Sequence, residues 1–197
     1  ESGMLAATQD ADWGGMQLPC VIDAAANAFF GKASASINAS LLTVGNANLL
    51  LAHGTPKQKD VFARAELEGR WSGTMCLSEP QAGSSLSDIA TRAVLDDETD
   101  PLGPRFRLTG NKMWISAGEH EITENIIHLV LAKIEGADGK LTPGAKGISL
   151  FVVPKHLVDA SGRLIGQRND VALAGLNHKC GWRGTTNTLL NFGERGG

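Results

Sequence analysis

Cysteine is scarce in this 197-residue sequence, and the three present, Cys20, Cys76 and Cys180, are odd in number and far apart. That excludes a disulfide-rich secreted scaffold and leads us to expect a reducing, cytoplasmic setting. Neither sign of charge is in excess: 18 basic against 21 acidic residues leave a formal net charge of -3. Such a balance offers no footprint for nucleic acid or an anionic membrane. Long apolar runs are missing too. Asn27, Asn38, Asn46 and Asn48 interrupt the least charged stretch, 20–53, so no transmembrane segment is expected. There is no Gly-x-Gly-x-x-Gly fingerprint, which argues against a Rossmann domain. His53, His120, His128, His156 and His178 lack paired ligand spacing, so no metal site is expected. Nothing resembles a signal peptide or an internal repeat. The chain opens on Glu1 rather than methionine and stops at Gly197, soon after an apolar run, and we expect a piece of a longer polypeptide.

What is present divides near residue 69. Asp12-Trp13-Gly14-Gly15 and Leu18-Pro19 predict an ordered loop, either a packed one or a surface turn with one buried indole. In 20–53, alanines and small polar residues surround Phe29, Phe30, Ile37, Leu41, Leu42 and Leu49 to Leu51. This predicts helices buried on most sides, at an interdomain or inter-subunit surface, with Gly31 and Gly45 as breaks or close-packing points. Thr55-Pro56-Lys57-Gln58 reads as a capped helix start, with Gly69 as terminator.

Beyond Gly69 the pattern turns strand-like. Candidate strands are Trp71–Leu77, Ile89–Leu95, a segment around Phe106 and Leu108, Ile126–Ile134, Ile148–Val153, Val171–Leu176 and Thr185–Phe192. Gly110-Asn111 reads as a turn, Gly136 to Gly147 as a polar connection and Asp159 to Gly162 as another turn. Segregated helices and strands predict an α+β chain. A partial helical domain would span 1–69 and an antiparallel β-barrel or sandwich domain 70–197.

Two segments carry the chemistry. Met75-Cys76-Leu77-Ser78-Glu79-Pro80-Gln81-Ala82-Gly83-Ser84-Ser85 places hydroxyls and free backbone groups after a strand, where main-chain N–H groups can hold a polar ligand or a phosphate. A plain Ser/Gly/Pro connection has the same composition. Lys112-Met113-Trp114-Ile115-Ser116-Ala117-Gly118 sets an indole two residues before a hydroxyl, an arrangement that suits an aromatic cofactor or an ordinary core tryptophan. Lys179 and Arg183 form a small basic cluster that suits phosphate or a solvated turn.

Together these segments resemble the two flavin signatures of the acyl-CoA dehydrogenase family, apolar-Thr-Glu-Pro-x-Ala-Gly-Ser-Asp and Lys-x-Trp-Ile-Thr. Ser78 and Ser116 stand at the threonine positions, and Ser85 stands at the aspartate. The resemblance extends to Asp12–Pro19, to His53–Lys59 and to Asn177–Thr185, in the family's order. The stretch from Asn177 to Asn191 is most similar to the large bacterial members, including those acting on 3-methylmercaptopropionyl-CoA.

The resemblance implies a helical domain, a middle β domain and a C-terminal four-helix domain, the last absent here. It implies FAD as cofactor, an acyl-CoA substrate, an electron-transfer flavoprotein or similar acceptor, and a homodimer or homotetramer. By carry-over, Leu77 and Ser78 contact the flavin ring, Trp114 packs on it, and Ser116 bonds near N5. Gly83 and Ser84 lie near the pyrophosphate, Ser84 also near the acyl-CoA, while Glu79 and Pro80 shape the loop. The implied reaction removes an α-proton and passes a β-hydride to flavin N5. Glu121, Glu124 and Glu194 do not match the family's base, so no catalytic residue is assigned and the isolated chain is expected to be inactive with weak FAD binding. Exposed apolar surface should promote its association. Alternatives are an acyl-CoA oxidase, nitroalkane oxidase or flavin monooxygenase of the same fold, or a non-catalytic scaffold. The loss of both threonine methyls and of the aspartate keeps the scaffold reading open.

Overall fold

The computed structural model describes residues 3–36 and 40–196. Ile37, Asn38 and the two chain ends, on which part of the sequence reading rested, lie outside the described residues. The N-terminal loop contains two single 3₁₀ turns, Met4–Ala6 and Ala11–Trp13. Trp13 is half-buried there, with the Arg64 guanidinium 4.7 Å from its ring centroid.

Two helices follow, α1 (Cys20–Ala33) and α2 (Ser40–His53). A third, α3 (56–67), joins α-helical Pro56–Gln58 to a π-helical stretch, Lys59–Ala63, and α-helical Arg64–Leu67. Its start is the expected capping box: Gln58 N–H donates to Thr55 Oγ1 at 3.2 Å, and Thr55 N–H donates to Gln58 Oε1 at 3.0 Å. It ends where expected, at Gly69 with φ +73°.

Two expectations for the helices need correction. α1 runs through Gly31 and α2 through Gly45, and at Gly45 an added Cβ would meet nothing within 4 Å. A helix tolerates an interior glycine at a cost of about 1 kcal/mol, so neither is a break. Nor is α1 buried on most sides within this chain: none of its residues is buried, and Val21, Ile22, Phe29 and Phe30 are exposed.

Among the described residues the rest forms nine strands: β1 (Trp71–Cys76), β2 (Arg92–Asp97), β3 (Arg105–Ser116), β4 (Asn125–Ile134), β5 (Ile148–Pro154), β6 (His156–Val158), β7 (Leu164–Arg168), β8 (Val171–Leu176) and β9 (Asn187–Phe192). The main sheet has the order β1-β4-β2-β3-β9-β8, with β5 on β4, and it curls into a near-barrel. Most pairings are antiparallel, but β1 and the start of β2 run parallel to β4. Gly110 and Asn111 are not a turn; β3 passes straight through them. The β6–β7 hairpin around the Asp159–Gly162 turn escaped sequence reading because every β7 residue is exposed and shows no alternation.

Two cores hold these layers. Ala47, Leu50, Val61, Phe62 and Leu67 pack on Trp71, Ile127 and Leu129, joining helices to sheet. Cys76, Leu108, Ile115, Val130, Val153, Leu190 and Phe192 fill the inside of the curl. Asn46 fastens α2 to the sheet, its Nδ2 donating to the Thr74 and Ile127 carbonyls at 3.0 Å each. Gly73 makes that approach possible, since a Cβ there would stand 2.6 Å from both Asn46 Cβ and Glu66 Oε1.

Candidate functional site

The site begins with a change of phase in β3. From Arg105 to Lys112 its side chains alternate, with Leu108 and Lys112 buried and Arg107, Thr109 and Asn111 exposed. Continued unbroken, that period would bury Trp114. The register with β9 instead shifts between Lys112 and Ile115, and Trp114 takes φ +68°. The bulge buries Ile115 and turns the indole outward, leaving it 56% exposed. A left-handed backbone on a bulky residue costs about 1–2 kcal/mol, and such strain concentrates at functional sites.

The loop after β1 reaches the same bulge. Met113 N–H donates to the Ser78 carbonyl at 3.0 Å, and Lys112 Nζ donates to the Leu77 carbonyl at 3.1 Å. Leu77, Ser78, Trp114 and Ser116 are therefore brought into one neighbourhood. Leu77, Ser78 and Ser116 are half-buried, and among the described residues neither serine hydroxyl has a protein partner. Ser116 pairs with Asn187 of β9, and Thr188 Oγ1 donates to the Ile115 carbonyl at 2.9 Å, fixing the far side of the bulge. Gly83 and Ser84 are exposed just past a tight turn in which Glu79 and Ala82 exchange backbone hydrogen bonds of 2.7 and 3.0 Å. No hydrogen bond joins them to Trp114 or Ser116 among the described residues.

Behind this face lies a charged centre whose role the sequence did not disclose. Glu79 Oε1 accepts from Lys112 Nζ at 2.8 Å, from Thr91 Oγ1 at 2.6 Å and from Thr91 N–H at 3.0 Å. Its Oε2 accepts from Ala90 N–H and from Gln81 Nε2, each at 2.7 Å. Burial by itself would raise the carboxyl pKa; the donors from Ala90, Lys112 and Thr91 outweigh it and hold the pKa near 2. Burial lowers the Lys112 pKa and Glu79 opposes that, and the two side chains are paired at 2.8 Å. The resemblance implies that Glu79 shapes the loop; Lys112 enters the sequence reading only as the first residue of the second signature, and Thr91 does not enter it. A signal for Lys112 existed: it shares the parity of Leu108, and a lysine on the buried face of a strand requires an anionic partner.

Other reactive side chains are quiet. Cys76 and His128 are fully buried side by side, the thiol pushed up to about 12 and the imidazole down to about 3 by burial. Both are neutral at physiological pH. Lys179 Nζ donates to the Trp182 and Thr185 carbonyls at 2.6 and 2.8 Å, so the basic cluster braces its own loop. Among the described residues no cluster of side chains is arranged to hold a metal, and no helix is long and apolar enough to cross a membrane.

Comparison with known proteins bears on this geometry. The family model "Acyl-CoA dehydrogenase, middle domain" matches residues 74–187. The chain is 38% identical to a 3-methylmercaptopropionyl-CoA dehydrogenase of Ruegeria pomeroyi over 98% of its own length and 31% of that protein. It is 38% identical to a butyryl-CoA dehydrogenase of Syntrophomonas wolfei over 78% of its length and 24% of that protein. It thus spans a third or less of these relatives. Among solved structures, the prolyl acyl carrier protein oxidase AnaB superposes with a TM-score of 0.68 at 23% identity, over 96% of this chain and 44% of that one, a likeness of fold.

Proposed function

The chain belongs to the acyl-CoA dehydrogenase family, and on that premise we propose that it supplies the helical and flavin-facing portion of an FAD-dependent oxidoreductase acting on acyl-CoA thioesters. One observation carries the reading: Trp114 is turned outward on a strained bulge that is hydrogen-bonded to the loop bearing Ser78. An exposed indole flanked by two hydroxyls without protein partners among the described residues fits a flat, polar-edged ring system better than it fits a solvated surface.

In this reading Trp114 packs against the isoalloxazine. The Ser78 and Ser116 hydroxyls hydrogen-bond its polar edge. Leu77 offers its backbone N–H, because its carbonyl is occupied by Lys112. Gly83, where a Cβ position is open, and Ser84 lie where backbone can approach the pyrophosphate, with Ser84 also near the acyl-CoA. Bound FAD supplies the two-electron acceptor for α,β-desaturation. The base that takes the α-proton comes from a part of the protein outside this sequence, and an electron-transfer flavoprotein or similar carrier takes the electrons onward. We infer functional kinship with the large bacterial subfamily, in a cytoplasmic homo-oligomer. Exposed Val21, Ile22 and Phe29 on α1 give such an assembly an apolar surface to cover.

The test is anaerobic titration of the FAD-loaded full-length protein with a panel of acyl-CoAs, following flavin absorbance. Bleaching is expected with at least one thioester, and slow reoxidation by oxygen marks a dehydrogenase rather than an oxidase. Absence of FAD, or no bleaching with any thioester, overturns the proposal. The 197-residue chain alone is expected to show no turnover; substantial turnover would contradict placement of the base elsewhere.

A further inference from the structure

The Lys112–Glu79 pair is buried to an unusual degree, its side chains 0% and 2% exposed. Desolvating both charges is costly, and an apolar pair of similar volume often holds a sheet as well. What an apolar pair lacks is directional bonds, and these two side chains use theirs on three separate segments. Lys112 belongs to β3, next to the bulge. Its ammonium reaches the Leu77 carbonyl and Glu79, in the loop after β1. Glu79 in turn binds the Ala90 and Thr91 amides, at the approach to β2. Gly110 keeps β3 close, since a Cβ there would lie 2.5 Å from Thr91 Oγ1 and 2.8 Å from Thr91 Cα.

We propose that Lys112 and Glu79 are a positioning pair, whose five-donor centre sets the loop 77–84 and the Trp114 bulge in one fixed relation and so preorganises the flavin-facing surface. The proposal rests on the flavin reading above. Neither residue touches the ligand in this scheme; they act through Leu77, Ser78 and Trp114. The Leu77 carbonyl is held by the ammonium and the Ser78 carbonyl by Met113, which leaves the outward edge of this loop to present N–H and hydroxyl donors. Loss of the pair frees the loop to sample other turns, and the ligand must then supply the ordering.

The experiment compares Lys112→Met and Glu79→Gln with Leu50→Ala in the full-length protein. Leu50 lies in the helix-facing core, outside the site, and serves as the control for general destabilisation. Two readouts are taken where all proteins remain folded by far-UV circular dichroism: amide exchange of residues 77–84 and 113–116, and the FAD dissociation constant with the shape of the bound flavin's visible band. Lys112→Met is expected to speed exchange in those two segments at least tenfold, to weaken FAD at least tenfold and to alter the band. Leu50→Ala is expected to leave exchange and affinity within twofold and the band unchanged. Glu79→Gln, which keeps the shape and part of the bonding, covers the case in which Lys112→Met does not fold and should give a smaller effect of the same sign. If the Lys112 and Glu79 variants behave like the Leu50 control, the pair is only structural and the proposal fails. If the parent holds no FAD, the flavin reading falls, and exchange alone still decides whether the pair fixes the loop.

Discussion

The Ser78 carbonyl accepts a hydrogen bond of 3.0 Å from the Met113 N–H, so the loop after β1 is bonded at the point where β3 bulges. Bonded there, the loop lies beside Trp114, the residue the bulge turns outward. The indole has left the core, and the backbone that carries it is held in place by a neighbouring strand end.

Trp114→Gly should separate stability from ligand binding. Glycine adopts φ +68° without penalty, and little packing is lost from a side chain already 56% exposed. Thermal denaturation is expected to show unchanged stability or a gain of about 1 kcal/mol, while FAD affinity falls at least tenfold. A large loss of stability would mean that the indole packs more deeply than the structure shows.

Gly110→Ala should disturb the charged centre from behind. A methyl at φ +155° would meet Thr91 Oγ1 at 2.5 Å, and Thr91 is the residue whose hydroxyl and amide bind Glu79. The expected cost is about 1–3 kcal/mol, measured by denaturant unfolding. An unchanged midpoint would show that β2 and β3 have room to separate.

Acid should weaken the fold through Glu79. Its carboxyl is held near 2 in the folded chain against an ordinary 4.5, so it is ionised in both states above 4.5 and contributes fully there. As pH falls from 4.5 towards 2 the unfolded chain takes up the proton first, and the contribution is lost. Glu79→Gln should lower stability at pH 7 and remove that part of the slope, as measured by unfolding at stepped pH. An identical slope in the variant would rule Glu79 out as its source.

Glu66 should act in the opposite direction. It is fully buried, neither carboxyl oxygen has a hydrogen-bond partner among the described residues, and burial raises its pKa well above the ordinary 4.5. Its contribution is fully present below 4.5. It declines as pH rises past that value, because the unfolded chain releases the proton while the folded chain keeps it. Glu66→Gln should therefore flatten the fall in stability on the alkaline side of 4.5, and a carboxylic-acid infrared band lost in the variant would confirm the neutral form.

Much of the architecture was legible because it is written locally. The Thr55–Gln58 box, the Gly69 terminator and the apolar runs of β4, β5 and β8 each signal their own conformation within a few residues. The paired signature segments were equally visible, since a motif is by definition a contiguous string. Local signals also misled. Gly110-Asn111 has the composition of a turn, yet its glycine is there to let Thr91 approach. The composition of the alanine-rich α1 reads as that of a helix buried on most sides, and its surroundings within this chain leave it exposed.

The residues alone determined the succession of helices followed by strands, the β6–β7 hairpin apart, the chain positions of the hydroxyls and indole, and kinship with the acyl-CoA dehydrogenases. Tertiary structure decided that β1 runs parallel to β4, that the phase of β3 reverses at Trp114, and that Lys112 meets Glu79 behind the loop. The physical reason is the range of the forces involved. Periodicity and capping depend on neighbours a turn or a pleat away, whereas a bulge, a strand partner and a buried ion pair are fixed by atoms from distant parts of the chain, whose meeting no local pattern records.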